Sequence, residues 1–217
     1  MSVYNKEKFI SESITAILNQ SYKNFELLII DDHSSDNSIK TIKKFKDKRI
    51  KLFINKFNKG RSKNYNFLAK KIKGDFVITA DADDILMPYA FEELSKVLYK
   101  NKRIDFVYGN LFYFNGNYFL GLENYYKKSK AKFTENDLAY KSIPIPHISM
   151  MAKKKWYKDN PYPEDISSAV DQVRYLISLK NSNYISIDTV VVGYRKFRNK
   201  ISNFTDYFDK RVNYQRH

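Results

Sequence analysis

Apolar positions along the first hundred residues switch between two periods. Ile10, Ile14, Ile17 and Leu18 recur at i, i+4, i+7 and i+8, which predicts an amphipathic helix over 6–19 with its stripe against a core. Residues 25–30, Phe-Glu-Leu-Leu-Ile-Ile, then form a nearly continuous apolar run, the pattern of a buried strand in a parallel sheet. The run stops at Asp31-Asp32, and Ser34-Ser35-Asp36-Asn37-Ser38 supplies cap residues for a helix reaching about residue 45. A strand over 50–54, a polar loop at 58–62, a helix to about 71 and a strand over 75–80 repeat the rhythm.

Such βαβα alternation predicts a doubly wound, mostly parallel α/β sheet with helices on both faces and ligands at the carboxyl ends of its strands. Pro88 suits the first turn of a helix that turns Phe91, Leu94, Val97 and Leu98 inward. Beyond residue 100 the pattern changes. Segments 104–114 and 118–122 flank Asn115-Gly116, a hairpin signal, so a smaller second part mixes antiparallel strands with helices expected over 135–140 and 168–179.

Two acid groups close strands: Asp31-Asp32, and Asp81, Asp83 and Asp84. In an extended chain Asp81 and Asp83 share a face, and their charges repel unless a cation or a proton lies between them. A hard divalent cation, Mn²⁺ or Mg²⁺, suits that oxygen set, with a bound diphosphate completing its shell. A polar turn capping the next helix is the alternative, and the spacing alone does not separate the two. The position after a buried strand, with a second acid pair at another strand end, raises the metal reading.

Composition narrows the rest. At 217 residues and 43% hydrophobic the chain fits a single domain. With no cysteine, disulfides and thiolate chemistry are excluded, and His33, His147 and His217 are too scattered for a zinc cluster. The opening MSVYNKEKF lacks the apolar core of a signal peptide, and no run reaches the roughly 18 apolar residues of a membrane span, so a soluble protein is expected. The net charge of +15, from 39 Lys+Arg against 24 Asp+Glu, favours anionic partners: nucleic acid, an acidic membrane surface or phosphorylated small molecules.

An ordered set of residues also carries a family resemblance. Val3-Tyr4-Asn5, Asn19-Gln20-Ser21-Tyr22, Phe25-Glu26-Leu27, Asp31-Asp32-His33-Ser34-Ser35-Asp36-Asn37-Ser38, Asn58-Lys59-Gly60 and Asp81-Ala82-Asp83-Asp84 resemble glycosyltransferase family 2. The match is dense over about the first 90 residues and looser beyond. It implies the GT-A fold and an inverting enzyme that moves a sugar from a nucleotide-diphosphate donor, typically a UDP-sugar, to an acceptor hydroxyl. A nucleotide-sugar half over 1–100 and an acceptor-side half over 101–217 follow.

Residue by residue, the resemblance sets Tyr4 beside the base, Asp32 at the base edge, Asn58 and Gly60 in the donor loop, and Asp81 and Asp83 as the DXD motif meeting ribose, metal and diphosphate. Asp83 is the likeliest direct ligand by that match. An inverting displacement needs a general base on the acceptor hydroxyl. Asp171, in Ala169-Val170-Asp171-Gln172-Val173-Arg174, matches the family's late-helix frame, with Asp165 of Glu164-Asp165 as the alternative. Arg195, in Tyr194-Arg195-Lys196-Phe197, matches a late pattern that contacts diphosphate, and His147 falls on the acceptor side.

The chain departs from the pattern in two places. Only Met1-Ser2-Val3 precede Tyr4, so the first strand reads as truncated, leaving the flanks of its neighbours exposed. The usual Arg after the Gly60 loop is absent; Arg61 and Lys63 are the candidates for that charge, with a solvated side chain as the alternative for each. Lys153-Lys154-Lys155 with Trp156 and Tyr157 reads as a solvated helix face, with contact to an anionic membrane as the alternative.

The acceptor class implied is a saccharide or lipid-linked saccharide of a bacterial surface glycan, made by a cytoplasmic enzyme, with a peripheral position at the inner membrane face as the alternative. The competing class is a basic module binding nucleic acid or membrane, supported by charge, 18 tyrosines and 16 phenylalanines. It would show steep salt dependence without a metal requirement, but no nucleic-acid signature is present, and nucleic acid is not expected as a partner. A sugar nucleotidyltransferase would need a Gly-rich phosphate loop, which six glycines do not form. A family member without catalytic activity is the fourth reading.

Overall fold

The structure is a computed structural model and describes residues 1–125, 143 and 145–197. β2 (Leu27–Asp31) is buried at all five positions, as its apolar run requires. It pairs in parallel with β3 (Ile50–Ile54) on one side and with β1 (Ser2–Val3) on the other. β1 reaches only Ile30 and Asp31, so the start of that edge borders a cavity of about 500 Å³ lined by Leu27, Leu28 and the segment from Phe76 to Ala80.

The second sheet has six strands. β4 (Phe76–Ile78) runs antiparallel to β8 (Met150–Lys153), which lies antiparallel to the long β6 (Phe106–Asn115). β6 also pairs with β7 (Tyr118–Glu123) across the Gly116 turn, where φ is 57°, and lies parallel to β9 (Tyr184–Arg195). β9 holds β5 (Ile85–Leu86) at the edge. The α/β architecture and the hairpin are as expected, but among the described residues parallel pairing is confined to β1–β2–β3 and β6–β9, and β4 pairs with β8 rather than with a parallel strand.

Helices pack their predicted stripes inward. α1 (Ile10–Leu18) buries Ile10, Ile14 and Ile17, and α4 (Ala90–Lys100) buries Phe91, Leu94 and Leu98. α1 starts later than its periodicity implied because Asn5 is left-handed at φ 51°. The next two amides are tied elsewhere, Lys6 N–H to Ser38 Oγ at 2.8 Å and Glu7 N–H to Asp36 at 3.0 Å. α2 (Ser38–Ile42) is brief, and α3 (Arg61–Ala69) follows the Gly60 loop. α5 (Lys154–Asp159) and α6 (Val170–Ser178) complete the set. The helix expected over 135–140 lies outside the described residues. In α5 Trp156 and Tyr157 are buried and Lys155 faces out toward Asp159, whereas Lys153 ends β8 and Lys154 is half-buried, so only Lys155 of the expected run lies on a solvated helix face. Among the described residues no helix is long and apolar enough to cross a membrane.

α6 is anchored by a buried cation. Arg174, 1% exposed, donates from Nε to the Asn160 carbonyl at 2.7 Å and from Nη2 to the Tyr157 carbonyl at 3.2 Å. Its guanidinium lies 4.9, 4.3 and 4.2 Å from the ring centres of Trp156, Tyr157 and Tyr162. A flat, forked cation fits that aromatic box, and an ammonium does not. Arg174→Ala is expected to lose about 3 kcal/mol or more, and Arg174→Lys most of that, read as a lower urea midpoint at unchanged m. A midpoint shift near zero in Arg174→Ala would refute the anchor.

Candidate active site

The acids at the end of β2 do two different jobs. Asp31 closes its own turn, accepting the Ser34 N–H at 2.9 Å and hydroxyl at 2.6 Å. Asp32 is buried and holds the loop at 58–60: Oδ1 accepts from Asn55 Nδ2 and the Lys59 N–H, both at 2.8 Å, and Oδ2 from the Gly60 N–H at 2.9 Å. Burial works against its charge, but these donors together with Asn64 overcome it and hold the carboxyl below its usual range. Gly60 caps α3 at φ 86°, a conformation that favours glycine. Asn58 is exposed in that loop, and Tyr4, 51% exposed, offers a free ring face at the end of β1.

At the end of β4 the chain makes a turn that brings carboxylate oxygens of Asp81, Asp83 and Asp84 within 4.8 Å of one another, a set that could hold one metal ion. Asp81 accepts the Tyr65 hydroxyl at 2.9 Å and lies 3.9 Å from Arg61. Its burial opposes ionisation, yet Arg61 and His147 outweigh this and push its carboxyl far down. Asp83 pairs with Lys6. Asp84 is in the opposite state. One of its oxygens accepts the Arg195 N–H at 2.9 Å and the other has no hydrogen-bond donor, so burial, and then Asp81, push it up to about 8. An orphaned carboxylate oxygen beside two further carboxylates fits a divalent cation.

His147 opens a short 3₁₀ turn, His147–Ser149, and its ring lies between two carboxylates. Nε2 is 3.5 Å from Asp81 Oδ2, and Nδ1 is 3.4 Å from Asp171 Oδ2. Burial opposes charging the ring, but the two carboxylates prevail and raise it to about 10. Asp171 sits in the first turn of α6, where the helix dipole also favours its charge. Asp165 is exposed in the loop before α6, remote from this chain of contacts among the described residues. The structure thus brings Asp171 to the acid turn and leaves Asp165 outside.

Arg195 is buried rather than free. Its guanidinium donates to the Asp83 carbonyl at 2.9 Å and to Glu12 at 2.5 Å, 4.8 and 4.4 Å from the ring centres of Phe9 and Phe114. Of the two cations weighed for the loop, Arg61 faces Asp81. Two participants escaped the sequence reading, Lys6 on Asp83 and Tyr65 on Asp81. Tyr65 sits on the inner face of α3 in step with Leu68, which a helical wheel would have shown. Lys6 carried no signal.

Residues 1–160 match the model of glycosyl transferase family 2. The chain belongs to that family. It is 33% identical over 204 residues to UDP-Glc:alpha-D-GlcNAc-diphosphoundecaprenol beta-1,3-glucosyltransferase WfgD of Escherichia coli, covering 93% of this chain and 78% of that protein. An uncharacterized glycosyltransferase of Haemophilus influenzae is 30% identical, covering 97% and 86%. Among solved structures, S. aureus TarS in complex with UDP-GlcNAc superposes with a TM-score of 0.76 at 22% identity, covering 92% of this chain and 58% of that one. The mannosyltransferase PcManGT from Pyrobaculum calidifontis, in complex with GDP-Man and Mn2+, gives 0.69 at 15%, covering 92% and 56%. At these identities the superpositions establish the GT-A fold, and the chain spans less than three fifths of each of these two solved chains.

The orphaned Asp84 generates a pH prediction. A carboxyl raised in the folded state keeps its proton where the unfolded chain has lost it. Its contribution to stability is therefore full below about pH 4 and is lost as pH rises through about 8. Asp84→Asn keeps the acceptor for Arg195 and removes the titration. In metal-free buffer it is expected to melt several degrees above the parent at pH 9 and close to it at pH 4. A constant offset across that range would show that Asp84 is not held protonated.

Proposed function

We propose that this chain transfers a sugar from a UDP-sugar to a hydroxyl of a saccharide or lipid-linked saccharide, with inversion at the anomeric carbon. The observation that carries this reading is that Asp171 lies one imidazole away from the Asp81–Asp83–Asp84 turn, which supports a base next to a diphosphate site. The name of the E. coli relative, with its UDP-glucose donor and diphosphoundecaprenol acceptor, supports the choice of both substrate classes. A lipid-linked acceptor suits a cytoplasmic enzyme working against the inner membrane face, where the net positive charge favours anionic lipid.

In this reading the Tyr4 ring packs on the base, and the loop held by Asp32, with Asn58 and Gly60, closes over the nucleoside. Mn²⁺ or Mg²⁺ would be held by Asp83 and Asp81, with Asp84 in reach, and when bound supplies positive charge to the diphosphate leaving group. Asp171 takes the proton of the acceptor hydroxyl as that oxygen bonds to the anomeric carbon and the bond to the β-phosphate oxygen breaks. Arg61 and Lys6 lie where negative charge grows on the departing UDP, and Arg195 fixes the backbone of the acid turn from behind. His147 stands on the acceptor side of this wall.

Calorimetric titration of UDP tests the donor half: binding in Mn²⁺ is expected to disappear with chelator, and Asp83→Asn to abolish the metal-dependent part. Unchanged affinity in that variant would sink the metal role. Asp171→Asn is expected to keep UDP affinity and lower transfer from UDP-glucose to GlcNAc-diphosphoundecaprenol by about 100-fold or more. Near-normal turnover would return the base to Asp165.

A further inference from the structure

We propose that His147 is a positioning residue: through Nδ1 it fixes the carboxylate of Asp171 against the donor site, instead of binding acceptor itself. This rests on the glycosyltransferase reading and adds to it a residue that acts on the base. Nδ1 faces Asp171 on α6 at 3.4 Å, while Nε2 is buried 3.5 Å from Asp81 without a hydrogen bond of its own, so its burial keeps it from a sugar hydroxyl. The ring is largely buried, and its backbone is held by the Ser149 N–H donating to the Pro146 carbonyl at 3.0 Å.

A second tie sets the two elements in register. Gln172, next to the base, accepts the Ile143 N–H at 2.9 Å and donates to the Ile143 carbonyl at 3.2 Å. The segment leading to His147 and the first turn of α6 are therefore clamped by an amide on one side and the imidazole on the other. A carboxylate in this setting loses rotational freedom and presents its remaining oxygen in one direction. Fixing a reacting group in this way is worth one to two orders of magnitude in rate in comparable outer-shell contacts.

Two conservative variants separate the contacts. In His147→Asn the amide nitrogen falls near Nδ1 and can still donate to Asp171; in His147→Gln it falls near Nε2 and reaches only Asp81. The expected result is that His147→Asn stays within about fivefold of the parent kcat, while His147→Gln and His147→Ala fall by about tenfold or more. The KM for UDP-glucose and the calorimetric affinity for UDP with Mn²⁺ should hardly change. Nitrogen-15 NMR of the three-histidine protein gives a readout independent of turnover: Asp171→Asn should move the His147 Nδ1 resonance.

An unmoved Nδ1 signal overturns the proposal. So does a normal kcat in His147→Gln, or an equal loss in both variants together with lost UDP affinity, which would assign His147 to the fold or to the donor. Absence of UDP binding and transfer in the parent protein would instead refute the glycosyltransferase reading, with the NMR shift still reporting whether the contact exists.

Discussion

Three carboxylates on one turn is the constraint that the rest of the site answers. Asp81, Asp83 and Asp84 repel one another at the end of β4, and each meets that repulsion differently. Asp81 is ionised because Arg61, His147 and Tyr65 surround it. Asp83 is paired with Lys6. Asp84, given only one backbone donor, has its carboxyl pushed up by burial and by Asp81. A divalent ion would relieve all three at once, and the protein keeps most of that charge compensation on side chains that come from far along the chain. This explains how a strongly basic protein can concentrate acid at one point without losing its fold.

The same turn organises the scaffold. Arg195 reaches across from the end of β9 to the Asp83 carbonyl and Glu12, joining α1, the acid turn and the second sheet in one buried contact between Phe9 and Phe114. Asp32 performs the matching task at the end of β2 by gathering the amides of Lys59 and Gly60. Both sheets thus end in a carboxylate or carbonyl that draws in a distant segment. The cavity beside β2 is lined by Leu27, Leu28 and the segment from Phe76 to Ala80 and includes none of Asp81, Asp83 and Asp84.

Much of this was legible in the sequence because period and position survive without knowledge of register. The run at 25–30 holds most of the buried β2, the run at 50–54 is β3, half-buried except for Ile54, α6 falls inside the helix expected from Val170, Val173 and Leu176, and Asp32, Asp81 and Asp83 lie near strand ends. Pairing was not legible: an apolar run does not state its neighbour, so β4 was expected beside parallel strands and lies on β8. β9 went unread although its Ile, Thr and Val residues carry strand propensity, and β5 was hidden inside the acid turn. Lys6 on Asp83 depends on a left-handed Asn5, and the Glu12 partner of Arg195 lies 183 residues away. Neither spacing nor composition encodes such contacts.

The orientation of the base is therefore a tertiary property, and its support can be traced to one helix. Asp171 and Arg174 are three residues apart on α6, near neighbours on its surface. Arg174 is locked by two carbonyls and three aromatic rings, Gln172 by Ile143, and Asp171 by His147. The first turn of α6 is thus fixed from below by a cation in an aromatic box, from the side by an amide, and from above by an imidazole that leans on the acid turn. Loosening the buried cation should tilt the carboxylate as well as weaken the core. Stability and catalytic geometry are then coupled through Arg174, even though its guanidinium contacts backbone carbonyls and aromatic rings rather than the acid turn itself.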